Sequence, residues 1–399
     1  MNLESYYEKY QKNLFCFDSS YLQDLRINLI KNFNLNPNII KNNESLKHFD
    51  TEILNNFIYN PLQESDLFPT SIENKKSTIN LKDNQELCLK KIQKYENNIE
   101  DDYLVNLNTI FHNAGFYTEF KENTNNKYII HNKATKDKTI FAKNFFQIKS
   151  NCNIIIFEKF DNKIKSNINL INYFEIENNS RLLHFIFQEN GENSNLQFTN
   201  YVNCYEKSLY KQVIFNASES SIRNHNYANL LGEESSAELQ GVFLGKSNQI
   251  IDNKTVANHY SPNCTSNQTY KGILTDNAKA SHLSKTYVDQ IAQKTQAYQL
   301  SKGILLSDDC RFHSKPELKI FADDVKCSHG STIGPFEKNI LFYLRSRGIN
   351  EKKAISLLIQ SFFSDIIDSL TEQWWDPDEK DFEKLIKISI NNWLKNNNY

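Results

Sequence analysis

The amino-acid sequence predicts a mainly β chain whose strand-rich middle lies between helical regions at its two ends. Near the start, Leu25, Leu29, Ile30 and Phe33 recur at spacings of three and four, which gathers them on one helical face. From Phe116 to about Ile333 the texture changes to short runs rich in Ile, Phe, Tyr and Val, broken by Asn, Ser, Gly and Asp, as strands and turns are. From Phe336 the helical period returns. With 399 residues, 39% of them hydrophobic, the chain is long enough for two or three domains with buried cores. We place them at 1–115, 116–335 and 336–399.

In the first region the helical pattern runs from Ser5 to about Ala114, punctuated by Pro37, Pro61 and Pro69. The segment Asp101 to Phe111 opens with acidic residues suited to a helix N-terminus, and Gly115 stands where a stop is expected. In the middle, Lys127-Tyr128-Ile129-Ile130 and Leu182 to Phe187 read as strands. Some 200 residues of closely spaced strands without helices suit a sandwich, a large barrel or a stacked solenoid, and no clean repeat length chooses among them. In the last region Leu341, Tyr343 and Leu344 lead to Gly348, a C-cap, and Asn350 then caps a new helix. Ile355, Leu358, Ile359, Phe362, Phe363, Ile366, Ile367 and Leu370 form its apolar stripe, ending at Trp374, Trp375 and Pro377. Asp376 caps a final helix bearing Phe382, Leu385, Ile386, Ile390, Trp393 and Leu394. Two or three such helices make a thin core, so the β region or another chain is expected to cover part of them.

Forty-six basic against 48 acidic residues give a net charge of -2, so no global basic field exists to hold nucleic acid or anionic lipid. The longest apolar runs, such as Asn153 to Phe157, fall far short of the ~20 residues of a membrane helix. The N-terminus lacks the basic start and apolar core of a signal peptide, and the seven cysteines are odd in number and scattered, so a reduced, cytoplasmic protein is expected. The chain holds 55 Asn, and only six of its basic residues are Arg. That skew reads as coding bias, so chance Asn-X-Ser/Thr sequons carry no meaning here.

Gly241 to Ser247 looks like a phosphate loop, but it has three residues between its glycines where four are required, and it is read as a strand and turn. The sequence has no GxGxxG, HExxH, GxSxG or paired CxxC. The polar constellation with most promise is Cys310, His313, Cys327 and His329. Thiolate and imidazole are zinc's preferred ligands, which gives a structural zinc site as one reading, although the second pair is tight for it. Cys327 and His329 alone, at i and i+2 on a strand, project from one face and together suit iron, zinc or copper, the more so if another chain completes the coordination.

Residues 316 to 349, PELKIFADDVKCSHGSTIGPFEKNILFYLRSRGI, closely resemble the SufD branch of the SufB/SufD family, which belongs to the SUF system of iron–sulfur cluster assembly. HYSPNCTSNQTYKGIL at 259 to 274 and AQKTQAYQLSKGILLSD at 292 to 308 are similar to further blocks of that family, and LVNLNTIFHNAG at 104 to 115 to its "LN-x-A" helix. The SufB branch carries a His-Glu-Ala-Thr run where this chain has Ser328 to Thr332. Two positions depart from the family pattern: Cys310 stands where a small apolar residue is usual, and His282-Leu283-Ser284 replaces Phe-Asn-Gly.

The resemblance implies a right-handed parallel β-helix flanked by helical N- and C-terminal domains. It also implies a non-catalytic scaffold that pairs with SufB and, through its C-terminal helices, docks the ABC-type ATPase SufC. A nascent cluster would form between a SufB cysteine and Cys327 and His329, with strain passing from the helices through Gly348 and Gly334. Tyr343, Arg345 and Arg347 have the composition of an interface, and the resemblance implies that it is the one that docks SufC. No cofactor is expected on the isolated chain; a transient iron–sulfur cluster, and reduced flavin, belong to the complex. A homodimer of the isolated chain is compatible with the family. Two other readings compete: the zinc-binding structural protein, and a β-helical polysaccharide-active enzyme, which would normally be secreted.

Overall fold

The computed structural model describes residues 7–8, 20–32, 70–72, 78–80, 102–112, 114–132, 139–162, 165–192, 194–368 and 379–397. Helix α1 (Ser20–Asn32) is followed by two short strands, β1 (Thr70–Ile72) and β2 (Thr78–Asn80), and by helix α2 (Tyr103–Phe111). Sixteen strands then follow with no helix among the described residues between them: β3 (Ala114–Phe120), β4 (Asn125–Asn132), β5 (Thr139–Ile148), β6 (Asn153–Phe160), β7 (Ser166–Ile176), β8 (Arg181–Gln188), β9 (Ser194–Cys204), β10 (Leu209–Asn216), β11 (Ile222–Leu230), β12 (Ser236–Gly245), β13 (Ile250–His259), β14 (Thr265–Leu274), β15 (Lys279–Val288), β16 (Gln296–Leu305), β17 (Arg311–Ile320) and β18 (Lys326–Gly334). Helices α3 (Lys338–Ser346), α4 (Glu351–Asp368) and α5 (Glu379–Asn396) come last. Phe33, the three early prolines, Leu370, Trp374, Trp375, Asp376 and Pro377 lie outside the described residues.

Consecutive strands do not pair with each other. From β3 onward the odd strands stack into one parallel sheet and the even strands into another, so each pair of strands completes one turn of a parallel β-helix of about eight turns. That topology excludes a sandwich of hairpins and a closed barrel. A repeat does exist: left-handed residues at Asn123, Asn151, Asn179, Lys207, Glu234, Asn263 and Lys294 turn the chain at the same corner every 27–31 residues. Asn tolerates this conformation better than most residues, which gives part of the abundant Asn a physical use.

Inward side chains fill the solenoid with aliphatic and aromatic stacks, such as Phe146 on Phe174 at 4.4 Å. The outer faces are covered by the terminal helices. On the odd sheet a ladder of Phe145, Tyr173, Tyr201 and Tyr227 lies against Leu22 of α1 and Val105 of α2. Asn108 of α2 donates to the Ala142 and Asn169 carbonyls, which explains a buried Asn in that helix. On the even sheet Phe157, Phe185, Phe215 and Leu244 pack against Ile359 and Phe363 of α4 and Phe382, Ile386 and Trp393 of α5. The thin C-terminal core therefore draws its other half from the solenoid.

Asp102 caps α2 by accepting from the Leu104 and Val105 amides, and Asn350 caps α4 by accepting from the Lys353 amide. Gly348, at φ 84°, ends α3 as expected. Gly115 does not stop α2, which ends at Phe111. It lies inside β3 at φ 137°, where a Cβ would meet the Lys143 carbonyl oxygen at 1.8 Å, so close strand approach is what demands glycine there. The stretch read as helical up to Ala114 also holds β1 and β2, which pair antiparallel with β4 and β3 and so cover the first edge of each sheet. At the other end, among the described residues, no strand pairs with the outer edge of β17 or β18. Gly241 to Ser247 spans the end of β12 and a turn with Ser247 at φ 54°, as its reading as strand and turn requires.

Candidate site on the last rung

β18 is the last strand of the even sheet and pairs in parallel with β16, setting Cys327 over Ala297, His329 over Gln299, Ser331 over Ser301 and Ile333 over Gly303. Cys327 packs in the corner cluster of Val288, Ala292, Ile320, Ala322 and Val325, and Ile333 packs with Phe312 and Leu305. Both ends of this alternating set thus point into the solenoid. His329 and Ser331 lie between them on the same inward face. Because no further rung among the described residues covers them, His329 is exposed and Cys327 half-buried, although the same positions one rung earlier are buried. A thiol and an imidazole therefore stand side by side at the uncapped end of the solenoid.

Burial raises the Cys327 pKa, a shift that a hydrogen bond with the Ala297 backbone partly opposes. The thiol is thus protonated at neutral pH, and binding a metal must displace that proton. The four-residue zinc reading fails on geometry. Cys310 is buried at the opposite corner, directed to the Leu274 and Ser307 carbonyls, and the whole of β17 separates it from Cys327. Its neighbour by two residues, Phe312, faces inward with the core, so His313 faces out. Among the described residues no group of three or more His, Cys, Asp or Glu side chains is placed to hold a metal ion. Two donors of this chain can contribute to a shared site.

The second candidate surface is α3, none of whose side chains is buried. Tyr343 is 56% exposed and carries the Arg347 guanidinium over its ring at 5.3 Å, while Arg345 reaches Glu351 at 3.4 Å, an exposed pair of small energetic weight. Sequence reading missed Phe342, which is 73% exposed and the most solvent-accessible large apolar side chain of this helix; Ile340 is exposed as well. The apolar stripe of α4, by contrast, is spent on the solenoid. A Cβ on Gly334 or on Gly348 would meet nothing within 4 Å, so only Gly348, through its φ, requires glycine.

A parallel β-helix with helices packed against both sheets, and with a thiol and an imidazole at its open end, defines the class: a helix-flanked β-solenoid. The family model for the SUF system FeS cluster assembly SufBD core domain matches residues 128–362, more than half of the chain. The chain belongs to the SufBD family. An iron–sulfur cluster assembly SufBD family protein of Synechocystis is 35% identical over 165 residues, covering 41% of this chain and 36% of that protein. The iron–sulfur cluster assembly protein SufD of Escherichia coli is 33% identical over 152 residues, 38% and 36% of the two chains. The chloroplastic protein ABCI7 of Arabidopsis thaliana is 35% identical over 149 residues, 37% and 31%. The aligned part thus spans only about a third of the length of these relatives. No described helix is long and apolar enough to cross a membrane.

Proposed function

We propose that this chain is a SufD-like, non-catalytic scaffold subunit of a SufBCD-type complex in the cytoplasm. The observation that carries the reading is the pairing of Cys327 and His329 on the inward face of an uncapped last rung. In this reading SufB covers that rung and adds a thiolate, and the iron–sulfur cluster is cargo held between the two subunits. Sulfur and imidazole nitrogen are donors suited to iron. SufC docks on α3 through Phe342, Tyr343 and the adjacent Arg345 and Arg347, and ATP hydrolysis resides in SufC. Reduced flavin is assigned to the complex and to no residue of this chain. In isolation the open rung is offered to a second copy, giving a homodimer. The Cys327 thiol must shed its proton to bind metal, so cluster occupancy falls as pH drops.

The test is His329→Ala in the complete complex, with thermal stability and cluster assembly measured together. Loss of assembly at an unchanged melting temperature supports the ligand role, and normal assembly by the variant overturns it. Co-purification of the wild-type chain with the SUF components tests membership of the complex directly.

A further inference from the structure

At one outer corner of the odd sheet a single backbone bond recurs, in which the residue just after each strand donates its amide to a carbonyl one rung earlier. On the early rungs that position holds Lys149, Glu177 and Tyr205, and on the later ones Leu231, Tyr260, Asp289 and Phe321. The early members find partners within the chain. Lys149 reaches Glu177 at 2.9 Å, and the Tyr205 hydroxyl donates to Glu175 at 2.7 Å. The adjacent outward column, two residues earlier in each strand, is an amide ladder: Asn258 donates to Asn229 at 2.9 Å, Asn229 to Asn203 at 2.9 Å and Asn203 to Glu175 at 3.0 Å. Beyond Asn258 the register continues it as Tyr287 and Lys319.

Over the last rungs both columns therefore turn aromatic. The Tyr260 and Tyr287 rings lie 5.7 Å apart, as do those of Tyr287 and Phe321. Phe321 is 52% exposed and Tyr260 38%. The Lys319 ammonium lies over the Tyr287 and Phe321 rings at 5.9 and 5.4 Å, and among the described residues no carboxylate pairs with it. Because the same backbone position takes Lys or Glu on earlier rungs, the fold itself does not ask for rings in water here, and a contiguous exposed apolar strip marks a contact surface. The strip runs to the open end. Phe321 stands on the last rung, and a rung laid over β17 would set its own corner residue one strand spacing, about 4.8 Å, above it.

We propose that Tyr260, Tyr287 and Phe321, with Lys319, form an outer flank that seats the subunit covering the open rung, and that this subunit brings an apolar corner and a carboxylate to meet Lys319. The flank supplies affinity, while Cys327 and His329 face inward and supply donors. That the subunit is SufB rests on the scaffold function proposed above.

The experiment titrates the full-length chain with SufB by calorimetry. Phe321→Ser and Lys319→Glu should each weaken association by about tenfold or more at an unchanged melting temperature. Lys149→Ser, at the same corner on an early rung, should leave it unchanged. Wild-type affinity in folded Phe321→Ser and Lys319→Glu chains overturns the proposal, as does equal weakening by Lys149→Ser. Loss of self-association in the two flank variants with SufB binding intact also overturns it, by giving the flank to a second copy of this chain. A wild-type chain that does not bind SufB overturns the scaffold function and the flank together, whereas wild-type binding with indifferent variants overturns the flank alone.

Discussion

Arg223 of β11 and Asp102 at the head of α2 meet at 2.6 Å, both buried, across 121 residues of chain. Asp102 is at once the cap of α2 and the anchor that fastens this helix to the outer face of the solenoid. Asp252 lies on the other side of Arg223 at 3.3 Å and accepts from His225 Nε2 at 3.2 Å. Removing the shared cation leaves two buried carboxylates with only His225 between them. Arg223→Met should therefore cost about 3–5 kcal/mol in chemical denaturation. A loss below ~1 kcal/mol would mean that the helix is held by its apolar face alone.

The pH dependence of stability should show two acid windows. Burial presses His259 down to about 4 and His282 to about 3, and burial together with Arg26 and Lys143 keeps His112 well below its ordinary value. Unfolded, each imidazole titrates near ~6.5, so stability is fully present above that pH and is lost as pH falls toward the folded values. Each contributes a slope of up to ~1.4 kcal/mol per pH unit. Below about pH 4 the carboxylates add to the loss. Burial would raise Asp102, but Arg223 and His225 outweigh it and hold it well below the usual carboxylate range, and His225 and Arg223 bring Asp252 to about 2 against the same burial. Unfolding free energies from pH 8 to 3 should decline from near neutrality, and His259→Gln should flatten the upper window.

The C-terminal end of this fold was more legible in the sequence than its middle. Asn350 as a cap, Gly348 as a stop, and the faces of α4 and α5 follow from spacing and local chemistry, which one strand of sequence contains. The β-helix period was hidden because what repeats is a backbone conformation at one corner, filled by Asn four times but by Lys or Glu elsewhere, with rungs of unequal length. Alternation sufficed to put Cys327 and His329 on one face. It could not show that this face turns inward, nor that Gln299 and Ser301 lie beneath it, because those facts depend on a register between strands 30 residues apart. Gly115 misled for a related reason: its neighbour Lys143 is distant in sequence.

Two glycines should respond in opposite ways to alanine. At Gly115 the backbone conformation costs an L residue about 1–3 kcal/mol, and the Cβ would collide with a strand carbonyl that cannot swing aside. Gly115→Ala should therefore shift β3 against β5 and lower the melting temperature clearly. Gly334→Ala should stay within about 0.5 kcal/mol of wild type, since its Cβ meets nothing. A destabilised Gly334→Ala chain would show that the end of β18 is closed in solution.

The C-terminal helices divide one apolar composition between two tasks, and single phenylalanines separate them. Phe363 is fully buried between α4 and the even sheet, so Phe363→Ala should cost about 3–5 kcal/mol and loosen the C-terminal helices from the solenoid. Phe342 on α3 is 73% exposed, so its removal should change stability by no more than ~0.5 kcal/mol. An exposed aromatic beside Tyr343 and two arginines matches the residues that dominate interfaces. If α3 is the ATPase contact, Phe342→Ala combined with Tyr343→Ala should keep the wild-type melting temperature and lose retention of SufC on an affinity column. Full retention by this double variant, with the fold intact, would place the ATPase contact away from α3.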